Sequence, residues 1–93
     1  MPTPLDQPAL DLPPDGTPAA HVRGGYGRKA MVLFLDGTWR PCQVVVWGQD
    51  ESGAWTRVML QWRPSGLRGR LSGKRCRTMY LYDADRMRGV NPP

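Results

Sequence analysis

The fold of this chain is decided by the stretch from Met31 to Trp47, which reads MVLFLDGTWRPCQVVVW. Two runs rich in β-branched and aromatic residues flank the dipeptide Asp36-Gly37, whose preference for positive φ values suits a tight hairpin turn. Pro41 lies inside the second run and removes one ladder hydrogen bond, so this end of the strand is expected at a sheet edge or on a bulge. The stretch therefore predicts an antiparallel β-hairpin.

Two further strands are predicted after this hairpin, at Trp55–Arg63 and Arg77–Tyr82, because both runs are rich in aromatic, β-branched and Thr residues. Residues 64–74 between them contain three glycines and show no apolar periodicity, which predicts a long connection or an irregular hairpin. In Trp55–Arg63 the polarity alternates with a period of two, which is typical of a strand with one buried face. The expected buried residues are Val58, Leu60 and Trp62, and the expected outward residues are Arg57, Gln61 and Arg63.

The C-terminal end predicts one short helical turn over Asp83–Gly89, with Asp83 as N-cap and Gly89 just beyond its end. A stub at Gly89-Val90 is expected to form a fifth strand. Five short strands favour a small closed β-barrel, because closure removes the exposed edges that a short meander would leave. The predicted fold is therefore an all-β, five-stranded barrel over residues 28–93.

The N-terminal part differs in composition from the rest of the chain. Residues 1–22 contain six prolines and few apolar residues, so residues 1–27 are predicted to form a disordered Pro/Gly-rich tail. The segment Arg23–Lys29 holds one arginine-glycine element, which is either an RNA-coating sequence or a flexible hinge. A chain of 93 residues has room for only one folded domain.

Charge is the strongest indication of a partner. The formal net charge is +5, and all three acidic residues of positions 1–20 lie in the predicted tail, so the barrel is more basic than the whole chain. Between positions 63 and 77 there are six basic residues and no acidic one: Arg63, Arg68, Arg70, Lys74, Arg75 and Arg77. On one surface these charges would neutralise several phosphates. The alternative interpretation is a solvated basic loop that keeps a small protein soluble.

The chain has four tryptophans, which is more than so small a core is expected to enclose. Some aromatic side chains are therefore expected at the surface, and the predicted aromatic site consists of Trp39, Tyr80 and Tyr82. Exposed aromatic rings near arginine can stack on bases or hold a cation. Simple packing within the sheet is the alternative.

The residues present argue against several function classes. The two cysteines, Cys42 and Cys76, lie far apart and the single histidine lies in the Pro-rich segment, so we predict no metal and no cofactor. No nucleophile, base and orienting group can be assembled, so the protein is not expected to be an enzyme. Without a secretory signal or an apolar run near the roughly 20 residues that span a bilayer, a cytoplasmic protein with no membrane partner is expected.

Three segments resemble the Tudor-like group of Src-homology-3-like barrels. They are residues 36–44, where an acidic-glycine turn is followed two positions later by Trp39, the central hydrophobic strand Trp55–Trp62, and the terminal turn Tyr82–Arg88. The resemblance covers residues 29–91 and implies the same small barrel fold. The basic segment from Pro64 to Arg77 is longer than such barrels usually have between their third and fourth strands.

Together these patterns predict an accessory or regulatory protein that binds nucleic acid, DNA in preference to RNA. Phosphates would be contacted by the basic residues between Arg63 and Arg77, with Trp39 and a nearby tyrosine stacking on bases. The alternative is a peptide-binding module of the same fold that uses the Trp39 side of the barrel. A homodimer formed through exposed tryptophans is the third hypothesis.

Overall fold

The computed structural model describes residues 6–14, 21–63 and 75–93. Its strands are β1 (Val22–Leu33), β2 (Trp39–Gln49), β3 (Trp55–Trp62), β4 (Cys76–Leu81) and β5 (Met87–Arg88). They form one antiparallel sheet in the order β4-β3-β2-β1-β5, and the described residues include no helix. The prediction of an all-β fold with five strands is confirmed.

The hairpin predicted at Asp36-Gly37 connects β1 to β2. The Phe34 amide donates to the Thr38 carbonyl at 2.8 Å, and Gly37 donates to the Phe34 carbonyl at 2.9 Å with a φ of +83°. Pro41 is paired with Met31 of β1 and lies before the first β2–β3 pair. The missing N–H of Pro41 therefore falls where β2 has a neighbour on one side only, as the sequence predicts.

One hydrophobic core collects side chains from all five strands. The core residues predicted in β3, Val58, Leu60 and Trp62, are buried and meet residues of β1, β2, β4 and β5 in a single cluster. Arg57 and Gln61, which the alternation predicts to face outward, are buried as well. The largest fully buried members of the cluster are Phe34, Leu60, Val32, Val44, Val58 and Cys42. Because the described chain offers no second sheet or helix to cover this face, the sheet has to curl around its own side chains.

The sheet is not closed in the described part of the chain, since β4 and β5 are its two edges and do not pair with each other. In place of a closing ladder, N-terminal residues bridge the end of β1 and the end of β4. Ala9 donates to the Leu33 carbonyl at 2.8 Å, Leu35 donates to the Gln7 carbonyl at 2.9 Å, and Leu81 donates to the Asp11 carbonyl at 2.7 Å. We call residues 7–11 the strap.

A disordered tail is predicted over residues 1–27. Of this segment, residues 1–5 and 15–20 lie outside the described residues. Within the remainder, the strap contributes Leu10 to the core, and β1 begins at Val22 instead of near Arg28. The arginine-glycine element belongs to β1, where a register shift between Gly24 and Arg28 accommodates the positive φ of Tyr26 and Gly27.

The expected helical turn over residues 83–89 is wrong. Arg86 donates to the Asp83 carbonyl at 3.1 Å and the Asp85 amide donates to Asp83 Oδ1 at 2.9 Å, which forms a single hydrogen-bonded turn. The chain then enters β5 at Met87, not at Gly89-Val90, and pairs with Val32 and Met31. Because Met87 is buried in the core, the backbone leaves the turn in an extended conformation.

A substitution in the strap measures its contribution to stability. Leu10 is 8% exposed and Leu12 is 65% exposed, so the two leucines of one short segment form a matched pair. We expect Leu10→Ala to lower the free energy of unfolding by about 2 kcal/mol and Leu12→Ala to change it by less than about 0.5 kcal/mol, measured by urea denaturation. Equal denaturation midpoints for the two variants would contradict the docked position of the strap.

Candidate nucleic-acid interface

The side of the sheet opposite the core, which we call the outer face, carries a row of polar side chains. Residues paired across antiparallel strands share a face, so the register of β1 to β4 places four side chains in one line. We call this line the polar row, and it consists of Lys29, Gln43, Gln61 and Arg77. It crosses three interstrand spacings, which is about 14 Å.

Hydrogen bonds fix the orientation of the polar row. Arg77 Nε and Nη2 donate to Gln61 Oε1 at 3.1 and 2.6 Å, and Gln61 Nε2 donates to Gln43 Oε1 at 3.1 Å. Both amide oxygens are therefore occupied, and the exposed Gln43 retains its Nε2 group as a donor. With Lys29 at one end and Arg77 at the other, the row presents N–H groups to solvent and suits a ligand whose polar atoms are acceptors.

Two more cations extend the polar row at the ends of β3 and β4. Arg63 directly follows Trp62, the last residue of β3, Arg75 directly precedes Cys76, the first residue of β4, and both arginines are exposed. A cleft of about 550 Å³ lies here, and its lining includes Lys29, Gln43, Gln61, Arg63 and Arg75. We call it the basic cleft. The strand alternation that aligns Gln61 with Arg77 places Arg63 and Arg75 on the outer face.

Arg40 also lines the basic cleft, but its charge is neutralised by carboxylates of this chain, unlike the charges of the other cations. Arg40 forms ion pairs with Asp6 and Asp36, and hydrogen bonds from the Thr38 hydroxyl and amide lower the pKa of Asp36. No carboxylate of residues 6–14, 21–63 or 75–93 forms an ion pair with Lys29, Arg63, Arg75 or Arg77. Their charge is therefore available to an external anion.

The structure does not bring the predicted aromatic trio together. Trp39 begins β2 and is half-buried, with the Arg88 guanidinium 4.1 Å from its ring centroid. Tyr80 is in register with Val58, a core position of β3, and its buried ring lies 6.1 Å from Trp62. Tyr82 packs 5.5 Å from Trp47. Only Trp39 of the three therefore remains near the outer face, and a cation already covers it.

The predicted basic residues are partly placed. Arg63 and Arg75 line the basic cleft and Arg77 lies beside Gln61 in the polar row, whereas Arg68, Arg70 and Lys74 are outside the described residues. Sequence reasoning missed Lys29 and Arg88. Lys29 could have been predicted from the register of the hairpin, because counting back from the turn at Asp36-Gly37 places Lys29 opposite Gln43.

No family model, curated protein or solved structure matches this chain. Within the residues that the structure describes, no helix is long and apolar enough to cross a membrane. The same residues contain no group of three or more His, Cys, Asp or Glu side chains that could hold a metal ion.

Proposed function

We propose that this protein binds nucleic acid by contacting phosphates at the basic cleft. The observation that carries the proposal is that four cations of the polar row and the basic cleft have no carboxylate partner in the described chain, and that the amide oxygens of the row already accept hydrogen bonds within it. Phosphate oxygens accept hydrogen bonds and carry negative charge, so they complement both properties. Arginine, which supplies three of the four cations, forms planar bidentate contacts with phosphate.

The extent of the surface favours a polymer over a free phosphate. The polar row spans about 14 Å, whereas one phosphate is satisfied by one or two cations. The net charge of +5 adds a long-range attraction toward polyanions. Phosphate contacts position a ligand without reading its sequence, which is consistent with an accessory or regulatory protein of low sequence specificity.

We also propose that the sheet is a partly open barrel of the Src-homology-3-like, Tudor-like kind. Three observations support this: one sheet surrounds one core, the short β5 returns to pair with β1, and the strap bridges the ends of β1 and β4. An aromatic cage is not part of the proposal, since Tyr80 is buried and Arg88 covers Trp39. A peptide-binding site on the Trp39 side is the weaker alternative for the same reason.

The test is fluorescence anisotropy with labelled single- and double-stranded DNA and RNA at roughly 50 and 200 mM salt. The informative variant combines Lys29→Ala, Arg63→Ala and Arg75→Ala. For single strands, each lost phosphate contact removes about 0.7 from the slope of log affinity against log salt, so the variant should lose about 2 from this slope. Its affinity at the lower salt should fall more than about tenfold.

The matched control keeps the charges and changes their shape, with Lys29→Arg, Arg63→Lys and Arg75→Lys combined. It should keep the wild-type salt slope and bind more tightly than the triple alanine variant, because the number of neutralised phosphates is unchanged and only the bidentate geometry is lost. A second control, Arg23→Ala, removes an exposed cation from the other half of β1. If the triple alanine variant binds as tightly as the wild type, the basic cleft is not the binding site. If the wild type does not bind at the lower salt, the proposed function is refuted.

A further inference from the structure

Arg57 is a buried cation on the outer face, distant from the basic cleft. It lies on β3, between β2 and the edge strand β4, in register with Gly48 of β2 and Leu81 of β4, and it is 4% exposed. The sequence pattern places it correctly on the face opposite the core but predicts it to be solvated. Along β3, Arg57 lies four positions before Gln61 of the polar row, which is a distance of about 13 Å.

The Arg57 guanidinium lacks acceptors. Its Nε and Nη1 atoms are buried, and no hydrogen-bond partner for either exists in the described chain. These two atoms carry three N–H groups, and no described Asp or Glu forms an ion pair with Arg57. Burying charged donors without acceptors is costly, so an acceptor supplied from outside would be strongly favoured.

The outer face beside Arg57 is apolar. Val46, Met59 and Met79 form the next row of the register, and Leu81 is the direct neighbour of Arg57 on β4. We call these four half-buried side chains the apolar patch. Gly48, the neighbour of Arg57 on β2, has no side chain that could compete for the space above the sheet. Methionines adapt their shape to different partners, which suits a binding surface.

We propose that Arg57 and the apolar patch form a docking surface for a protein segment that presents a carboxylate flanked by apolar side chains. Because Nε and Nη1 are enclosed in the free protein, the carboxylate would reach them as the half-buried side chains around Arg57 move apart, and its neighbours would cover the methionines. A nucleic acid fits this surface less well, because its sugar-phosphate backbone offers little apolar area to cover Met59 and Met79. The surface shares no residue with the basic cleft, so this inference goes beyond the proposed function.

The first test measures urea denaturation of the free protein carrying Arg57→Met. Replacing an unpaired buried charge with an apolar side chain of similar length removes the cost of its desolvation, so the denaturation midpoint should rise. The control is Arg77→Met, which removes an exposed arginine bonded to Gln61 and should not raise the midpoint. A lower midpoint for Arg57→Met than for the wild type would mean that the guanidinium is satisfied in the free protein, and would overturn the proposal.

The second test uses two blocked peptides, Leu-Val-Glu-Val-Leu and its counterpart with Gln in place of Glu, and follows the methionine methyl groups by NMR. The Glu peptide should shift the methyl signals of Met59 and Met79 and leave those of Met31 and Met87 unchanged. The Gln peptide, and the Glu peptide with Arg57→Met, should bind at least about tenfold more weakly.

Two results of this second test would overturn the proposal. One is an equal response, or no response, to the Glu and Gln peptides. The other is a shift of the Met59 and Met79 methyl signals by single-stranded DNA, together with DNA binding that Arg57→Met weakens. That result would assign Arg57 to the nucleic-acid surface.

Discussion

Replacing Phe34 with alanine is expected to lower the free energy of unfolding by about 3–5 kcal/mol. The ring is 1% exposed and makes an edge-to-face contact with Trp62, with centroids 6.1 Å apart and planes at 90°. The Arg40 guanidinium lies 4.7 Å from the Phe34 ring centroid. The substitution therefore removes buried apolar area, an aromatic pair and a cation–π contact at once.

The adjacent residue provides the control, because Leu35 follows Phe34 directly and is 49% exposed. Leu35→Ala should change the free energy of unfolding by less than about 0.5 kcal/mol. Urea denaturation followed by tryptophan fluorescence measures both variants. If the two variants unfold at the same urea concentration, the assignment of Phe34 to the core is wrong.

The second large effect concerns the reactivity of Cys42 in the folded protein. This thiol is buried, and burial raises its pKa to about 12 from an ordinary 9.0. Because the thiolate is the reactive form, a rise of this size lowers the reactive fraction about a thousandfold at pH 8. Iodoacetamide should therefore label the half-buried Cys76 first and leave Cys42 intact, as mass spectrometry of the digested protein would show.

Denaturation provides the control for this prediction. In concentrated urea both cysteines should react at similar rates, and the Cys76→Ser variant should remain unlabelled while it is folded. Labelling of Cys42 as fast as Cys76 in the native protein would contradict the buried position. Because the pKa of Cys42 is higher in the folded than in the unfolded protein, the thiol stabilises the fold fully below pH 9. This stabilisation should decrease progressively between about pH 9 and 12, as the thiol of the unfolded chain ionises more readily. The urea midpoint of a Cys42→Ala variant should lack this component of the alkaline decrease.

Local sequence patterns predicted the strands well because each carries its own signal. Asp36-Gly37 marks the hairpin, and the period of two in Trp55–Trp62 identifies Val58, Leu60 and Trp62 as core residues. The turn at Asp83 shows the limit of such local signals. Its capping pattern suits a helix, but the burial of Met87 draws the chain into β5.

Features that depend on distant parts of the chain could not be predicted in this way. The strap is held by Leu10, by three backbone hydrogen bonds and by a hydrogen bond from Arg86 Nη1 to the Ala9 carbonyl, and a single Leu10 among prolines gives no recognisable pattern. From the sequence alone Tyr80 is expected at the surface, but the pairing of β4 with β3 places it opposite the core residue Val58. For the site, the density of basic residues around Arg63 and Arg75 was visible, whereas the contribution of Lys29 requires the register of β1.

The strap also constrains when this protein can finish folding during its synthesis. Asp11 is synthesised well before its hydrogen-bond partner Leu81, because 70 positions of the chain separate them. At about 5–20 residues per second, the 70 residues between them take roughly 4–14 seconds to synthesise. During that interval Leu10 has no complete core to enter, so the strap is made before the five strands but acquires its native contacts only after β4 has been made.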